Sequence, residues 1–179
     1  NLWLATVFAE QSAWACMVIL AWAALKQRGE RARLLAILML AAAVSAISKQ
    51  VAESLGMARP FMVGISPQHI DHGARAGFPS THASVLYAVA FLLLARRRLR
   101  IAGWLVLGIA SATAWARIYV GVHFPLDITA GAALAAAFVG ACCVLGWARR
   151  PPSTIGLETE GIQARGLLSR GGAPRRNTR

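Results

Sequence analysis

A chain of 179 residues that is 57% hydrophobic and only 15% charged, with a mean hydropathy of +0.53, is too apolar for a water-soluble domain, where roughly half the residues are apolar and about a quarter charged. Its net charge of +12 invites a nucleic-acid reading, but the basic residues lie in the connections between apolar runs, so no nucleic-acid partner is expected. Cys16, Cys142 and Cys143 fall inside apolar runs and read as small buried hydrophobes, not as a disulfide framework.

A bilayer core of about 30 Å takes roughly 20 apolar residues per helix. Five spans follow in chain order: Leu2 to Leu25, Leu34 to Leu55, Ser80 to Ala95, Ile101 to Tyr119 and Pro125 to Ala148. The predicted fold is therefore all-α, a polytopic transmembrane helical bundle over residues 1–150. Residues 151–179, rich in Gly, Arg, Ser and Pro, are expected to form a disordered basic cytoplasmic tail. The chain enters its first apolar run at Asn1 without a basic n-region or a small-residue cleavage site, so an upstream segment with room for a sixth span is expected, and the length of the run together with Glu10 argues for a retained helix. It carries Glu10, an ionisable group costly in a bilayer and therefore expected near the rim of a site. The third span is short and crosses only if its polar start is included. Trp3, Trp14, Trp22, Trp104, Trp115 and Trp147 read as interfacial belts and packing.

Fifteen of the 19 basic residues fall on one side of these spans, between spans one and two, between three and four, and after five. The positive-inside rule makes that side cytoplasmic. The other four, Lys49, Arg59, Arg75 and Arg117, share the opposite side with nearly all the remaining polar residues of interest. There, the connection Gly56 to Pro79 is long for a tight bundle, and such loops are more often functional than not. Its His69, Asp71, His72 and Arg75 read as solvated, since His69-x2-His72 lacks a third and fourth metal ligand.

Three clusters meet the membrane on that side: Arg59-Pro60-Phe61, Phe78-Pro79-Ser80-Thr81-His82, and Arg117-x5-His123-x3-Asp127. Together they suit a phosphate group. Arg59 and Arg117 offer planar forks of donors. Ser80 and Thr81 open a helix whose first backbone amides are free to cradle an anion. Pro125 suits the first position of the next helix, placing Asp127 in its first turn, where it can fix the tautomer of His123 and leave one imidazole nitrogen free to attack phosphorus. His82 then serves as the acid that protonates the leaving oxygen. Charge stabilisation by arginines and amides calls for no metal and no cofactor.

These motifs resemble the three signatures of the type-two phosphatidic acid phosphatase superfamily, from about Lys49 to Asp127, and among its members the bacitracin-resistance type of undecaprenyl-diphosphatase. The resemblance implies a membrane lipid phosphatase of the bacterial inner membrane, acting on undecaprenyl diphosphate through a phosphohistidine at its periplasmic or outer face. His123, His82 and Asp127 would be catalytic, and Arg59, Ser80, Thr81, Arg117 and Lys49 would hold the phosphate. Three positions depart from the pattern: Lys49 precedes Arg59 by ten residues with Ala at position 52, Thr81 stands where Gly is frequent, and Ala116 where Ser is frequent. Dephosphorylation of another lipid (phosphatidylglycerophosphate, phosphatidic acid or lipid A) would use the same residues. A lipid transporter or structural subunit fits the composition but does not need the clustered histidines and arginines.

The charge asymmetry predicts that a cysteine at Gln68 is labelled by an impermeant thiol reagent in intact cells and a cysteine at Arg98 is not. The reverse pattern would overturn the orientation.

Overall fold

The structure is a computed structural model that describes residues 1–148. The tail expected over residues 151–179 lies outside them. Among the described residues five α-helices alternate with short 3-10 turns and loops: α1 (Leu2–Lys26), α2 (Arg31–Leu55), α3 (Thr81–Leu94), α4 (Arg100–Tyr119) and α5 (Pro125–Ala148). They coincide with the five expected spans to within a few residues. Two compact units divide the chain, Asn1–Cys142 and Cys143–Arg179. The helix packing and the site belong to the first; of the second, the described part is the end of α5.

The helices arise from long runs rich in Ala and Leu, the best helix formers, and punctuation ends them. Gly56 closes α2 in the left-handed conformation, with its amide on Ala52 O, and Pro125 opens α5. The side chains are distributed inside out. The interior is lined by small residues, with Ala5, Ala88, Ala90, Ala116 and Ala135 fully buried, while Trp3, Trp14 and Met39 are 76%, 72% and 73% exposed. That pattern suits lipid, where helices associate through close small-residue contacts, not through expulsion of large apolar groups from water. The tryptophans accordingly face outward: Trp3, Trp14, Trp22, Trp104 and Trp115 are all exposed, and Trp115 also stacks on Tyr119 with ring centroids 5.2 Å apart. Cys16 is buried as expected, but Cys142 is only partly covered and Cys143 is exposed, because the outer face of a membrane helix needs no polar side chain.

At the centre, α3 packs against α2 and α4, and α4 against α1. Cys16, Leu20, Leu34, Ile37, Val89, Leu93, Leu99 and Val106 fill the core at the arginine-rich end. Towards the other end, Ala135 and Val139 of α5 meet Val44 and Ala88. α5 comes close to the first turn of α3 at Gly131, where a β-carbon would lie 2.8 Å from Ser80 O and 3.1 Å from Ser84 N. With no side chain there, α5 is free to lie against the first turn of α3.

Gly131→Ala is therefore expected to wedge α5 from α3 and lower stability by about 1–3 kcal/mol. Gly108→Ala on α4, where nothing lies within 4 Å, should be neutral or stabilising. Thermal unfolding of the two variants in detergent checks the contrast.

Candidate active site

At the end of the bundle away from the arginine-rich connections, the long loop, the start of α3 and the α4–α5 turn converge. The loop is seated by Ile70, buried against Ala5 and Ala9 of α1, and by His69 N donating to Val120 O at 3.3 Å. Gly121, at φ +79°, makes the turn after α4, and its lack of a β-carbon admits Ser66 and the Pro67 carbonyl of that loop.

His123 sits in this turn, buried. Its Nδ1 lies 3.1 Å from Asp127 Oδ2, and the same carboxylate oxygen accepts the Phe124 amide at 2.9 Å. Asp127 thus caps its own helix and orients the histidine. The other ring nitrogen, Nε2, lies 3.0 Å from Arg59 NH1 and 3.3 Å from Ser80 Oγ. Since Arg59 can only donate, Nε2 carries the lone pair and Nδ1 the proton. Burial pushes this imidazole below the ordinary histidine range; the hydrogen bond to Asp127 opposes that, and the Arg117 and Arg59 charges reinforce it.

Arg59 is a hub. Its Nε donates to Arg75 O at 2.8 Å, NH1 to Val122 O at 2.9 Å and NH2 to Ala76 O at 3.2 Å. Gly77 passes so close that a β-carbon there would lie 2.9 Å from Arg59 Cγ. Arg117 lies deeper, 2% exposed. Its NH1 donates to Ala9 O at 3.2 Å and its NH2 to His72 Nε2 at 2.9 Å, while its buried Nε has no partner.

A cavity of about 540 Å³ opens in front of His123, and Lys49, Arg59, His72, Arg75, Thr81 and His82 are among its walls. His82, exposed in the first turn of α3, faces it, and the amides of Thr81, His82 and Ala83 have no acceptor within their helix. A second cavity at the opposite end, between Glu30, Arg33 and Arg96 to Arg98, carries no histidine.

Of the residues expected from the sequence, Lys49, Arg59, Thr81, His82 and His123 line the cavity, while Ser80, Arg117 and Asp127 stand behind that wall. Ser80 is fully buried with its hydroxyl at His123, so it reaches the cavity only through that nitrogen. Glu10 is exposed on α1 and does not line the cavity. His69 and Asp71 are exposed as expected. His72 is a correction to the solvated reading: it is half-buried, lines the cavity and meets His123 edge-on with ring centroids 6.4 Å apart, whereas Arg75 is exposed as expected but also lines the cavity. The role of His72 depends on Arg117, 45 residues away in sequence, so spacing gave no sign of it. Ser48 and Ser84 were also missed. They are fully buried, with Ser84 Oγ on Ser48 Oγ and Ser48 Oγ on Thr81 Oγ1, both 3.3 Å, tying α2 to the start of α3. Thr81, where Gly is frequent, takes part in that tie, and Ala116, where Ser is frequent, is fully buried among Ala5, Ala9 and Val120. Among the described residues no three His, Cys, Asp or Glu side chains form a metal-ligand set.

A helical bundle whose apolar side chains face outward from an interior of small residues defines a multi-pass membrane protein, and an Asp-oriented histidine beside two buried arginines marks its candidate site. The PAP2 superfamily matches residues 30–151, and the chain belongs to it. Among characterised proteins it is similar to YbjG of Escherichia coli (strain K12), named provisionally as an undecaprenyl-diphosphatase, at 40% identity over 41% of this chain and 36% of that protein. It is 40% identical to the bacitracin transport permease protein BcrC of Bacillus licheniformis over 36% of this chain and 31% of that one. With the undecaprenyl-diphosphatase BcrC of Bacillus subtilis (strain 168) the identity is 34%, over 46% and 41%. These matches span less than half the length of each relative. The crystal structure of a transmembrane PAP2 type phosphatidylglycerolphosphate phosphatase from Bacillus subtilis shares the fold, with a TM-score of 0.57 at 18% identity over 82% of this chain and 75% of that one.

The geometry predicts that His123 and His72 are both neutral at pH 7 with the proton on Nδ1. For His72 burial is the first cause, then the charges of Arg59 and Arg117. Nitrogen-15 NMR of histidine-labelled protein should find both titrating below the ordinary value of about 6.5. Titration of His123 at or above that value would contradict the assignment.

Proposed function

We propose that this chain is a lipid phosphatase that hydrolyses undecaprenyl diphosphate to undecaprenyl phosphate and inorganic phosphate at the extracytoplasmic face of the membrane. The observation that carries the reading is His123: its Nδ1 is held by Asp127, and its lone-pair nitrogen faces a cavity shared with His82 and Arg59. A transporter or structural subunit needs no such nitrogen. The substrate rests on the names of the relatives, one of the three being named an undecaprenyl-diphosphatase and another carrying that name provisionally, and the shared fold of a phosphatidylglycerolphosphate phosphatase adds nothing to it at 18% identity.

The chemistry runs in two displacements. His123 Nε2 attacks the terminal phosphorus in line, the bond to the bridging oxygen breaks, and His82 on the open side of the cavity gives that oxygen its proton. Asp127 stabilises the positive charge that develops on the imidazole. A water then loses its proton to His82 and attacks the phosphohistidine, releasing phosphate and restoring the lone pair on Nε2. Arg59, the amides at the start of α3 and, through a shift of its NH2 from His72, Arg117 carry the charge of the equatorial oxygens. Arg59 NH1 lies 3.0 Å from the attacking nitrogen, and a phosphate oxygen that takes this donor leaves that nitrogen free.

Purified protein is expected to release phosphate from lipid diphosphates in detergent, and rapid quench should trap acid-labile label on His123. His123→Ala should lose turnover by at least 10³-fold and form no phosphoenzyme, as about 10²–10⁴ is typical for a single catalytic group. His82→Ala should be impaired less as the leaving group improves. Label on His82, or full turnover in His123→Ala, would sink the mechanism.

A further inference from the structure

The two guanidinium groups nearest His123 have most of their donors committed within the protein. Arg59 serves the carbonyls of Arg75, Ala76 and Val122, and Arg117 serves Ala9 O and His72. Each can turn a donor to one phosphate group at the nucleophile, but neither is placed to hold a second. Two further cations stand on the cavity wall, Lys49 from α2 and Arg75 from the loop. Both are exposed, and among the described residues neither side chain makes an ion pair. Among the described residues Glu53 is the one carboxylate on that wall, so the pair leaves it net positive.

Their placement matches what in-line attack demands. With the terminal phosphorus against His123 Nε2, the bridging oxygen and everything beyond it point away from that nitrogen, towards His82 and the bilayer. Lys49 lies six residues before the end of α2 at Leu55, about 9 Å deeper along the helix axis at 1.5 Å per residue. It therefore enters the cavity from the side on which the lipid chain lies. Arg75 comes from the loop above, its own carbonyl fixed on Arg59 Nε at 2.8 Å, so its backbone is held beside the site.

We propose that Lys49 and Arg75 form a second anion subsite that holds the lipid-side phosphate of a lipid diphosphate while the terminal phosphate rests on His123. The proposal rests on the phosphatase reading above and sharpens it: this pair selects a diphosphate over a monophosphate of the same chain. Charge-assisted hydrogen bonds on phosphate are the strong kind, and the two cations gain their energy only from a ligand that carries the second group.

The test measures equilibrium binding of two non-hydrolysable ligands, a prenyl methylenediphosphonate and the prenyl phosphonate of equal chain length, to the full chain in detergent. The wild type should prefer the diphosphonate, and Lys49→Gln and Arg75→Gln should each reduce that preference about tenfold. Lys49→Arg and Arg75→Lys, which keep the charge, should retain it. A preference unchanged within twofold in the Gln variants, or lost equally in the charge-retaining ones, overturns the subsite. Phosphate release from a prenyl diphosphate is measured beside it. A preference that falls as expected in a protein that releases no phosphate leaves the subsite standing and removes the phosphatase reading; release with no change of preference does the opposite.

Discussion

The site depends on one buried cation. Arg59 is almost fully removed from solvent, and a guanidinium in that position is tolerable only if its donors are satisfied. It meets that demand with three carbonyls from two separate stretches, Arg75 and Ala76 in the long loop and Val122 in the α4–α5 turn, together with the lone pair of His123. The loop, the turn and His123 are thereby tied to a single planar group. Gly77 lies against the arginine stem because no β-carbon intervenes. Loss of this group would release the loop as well as the contact to His123, so a single substitution changes the architecture and the candidate site together.

A similar economy holds at Asp127. One oxygen satisfies the amide that α5 leaves without a partner at its start and also fixes the His123 ring. The helix therefore begins where the histidine must be oriented. On the neighbouring element, Ser80 N donates to Asp127 O at 3.0 Å, and Ser84 and Ser48 continue the polar contacts into the bundle. These hydroxyls satisfy one another in an apolar interior and hold α2, α3 and α5 in register around the cavity.

Much of this was legible in the sequence because the bilayer imposes it. Helix lengths follow from membrane thickness, and Pro125 and Gly56 mark ends by their backbone restrictions, so the five spans emerge from composition and punctuation alone. Arg59, His82, His123 and Asp127 were visible because each stands beside a helix end on one side of the membrane. What escaped was whatever depends on tertiary approach. His72 sits in a polar loop where any histidine would look solvated until Arg117 is brought 2.9 Å from it. Ser48 and Ser84 are small residues in apolar runs, indistinguishable from spacers until α2 and α3 meet. Glu10 was misjudged for the opposite reason: depth in a span is readable, but the direction in which a helix presents a side chain is set by its neighbours.

The shortness of α3 carries a consequence of its own. Its 14 residues, Thr81–Leu94, rise about 21 Å at 1.5 Å per residue, against a hydrocarbon core of about 30 Å. The central helix of the bundle is thus roughly 9 Å too short to reach both surfaces. With its arginine-flanked end anchored at one interface, the turn that bears Ser80, Thr81 and His82 ends below the level of the opposite headgroups. Ser80, Thr81 and His82 are thereby set at a depth that a helix of full length would give to apolar residues, and polar groups stand there because the helix stops short.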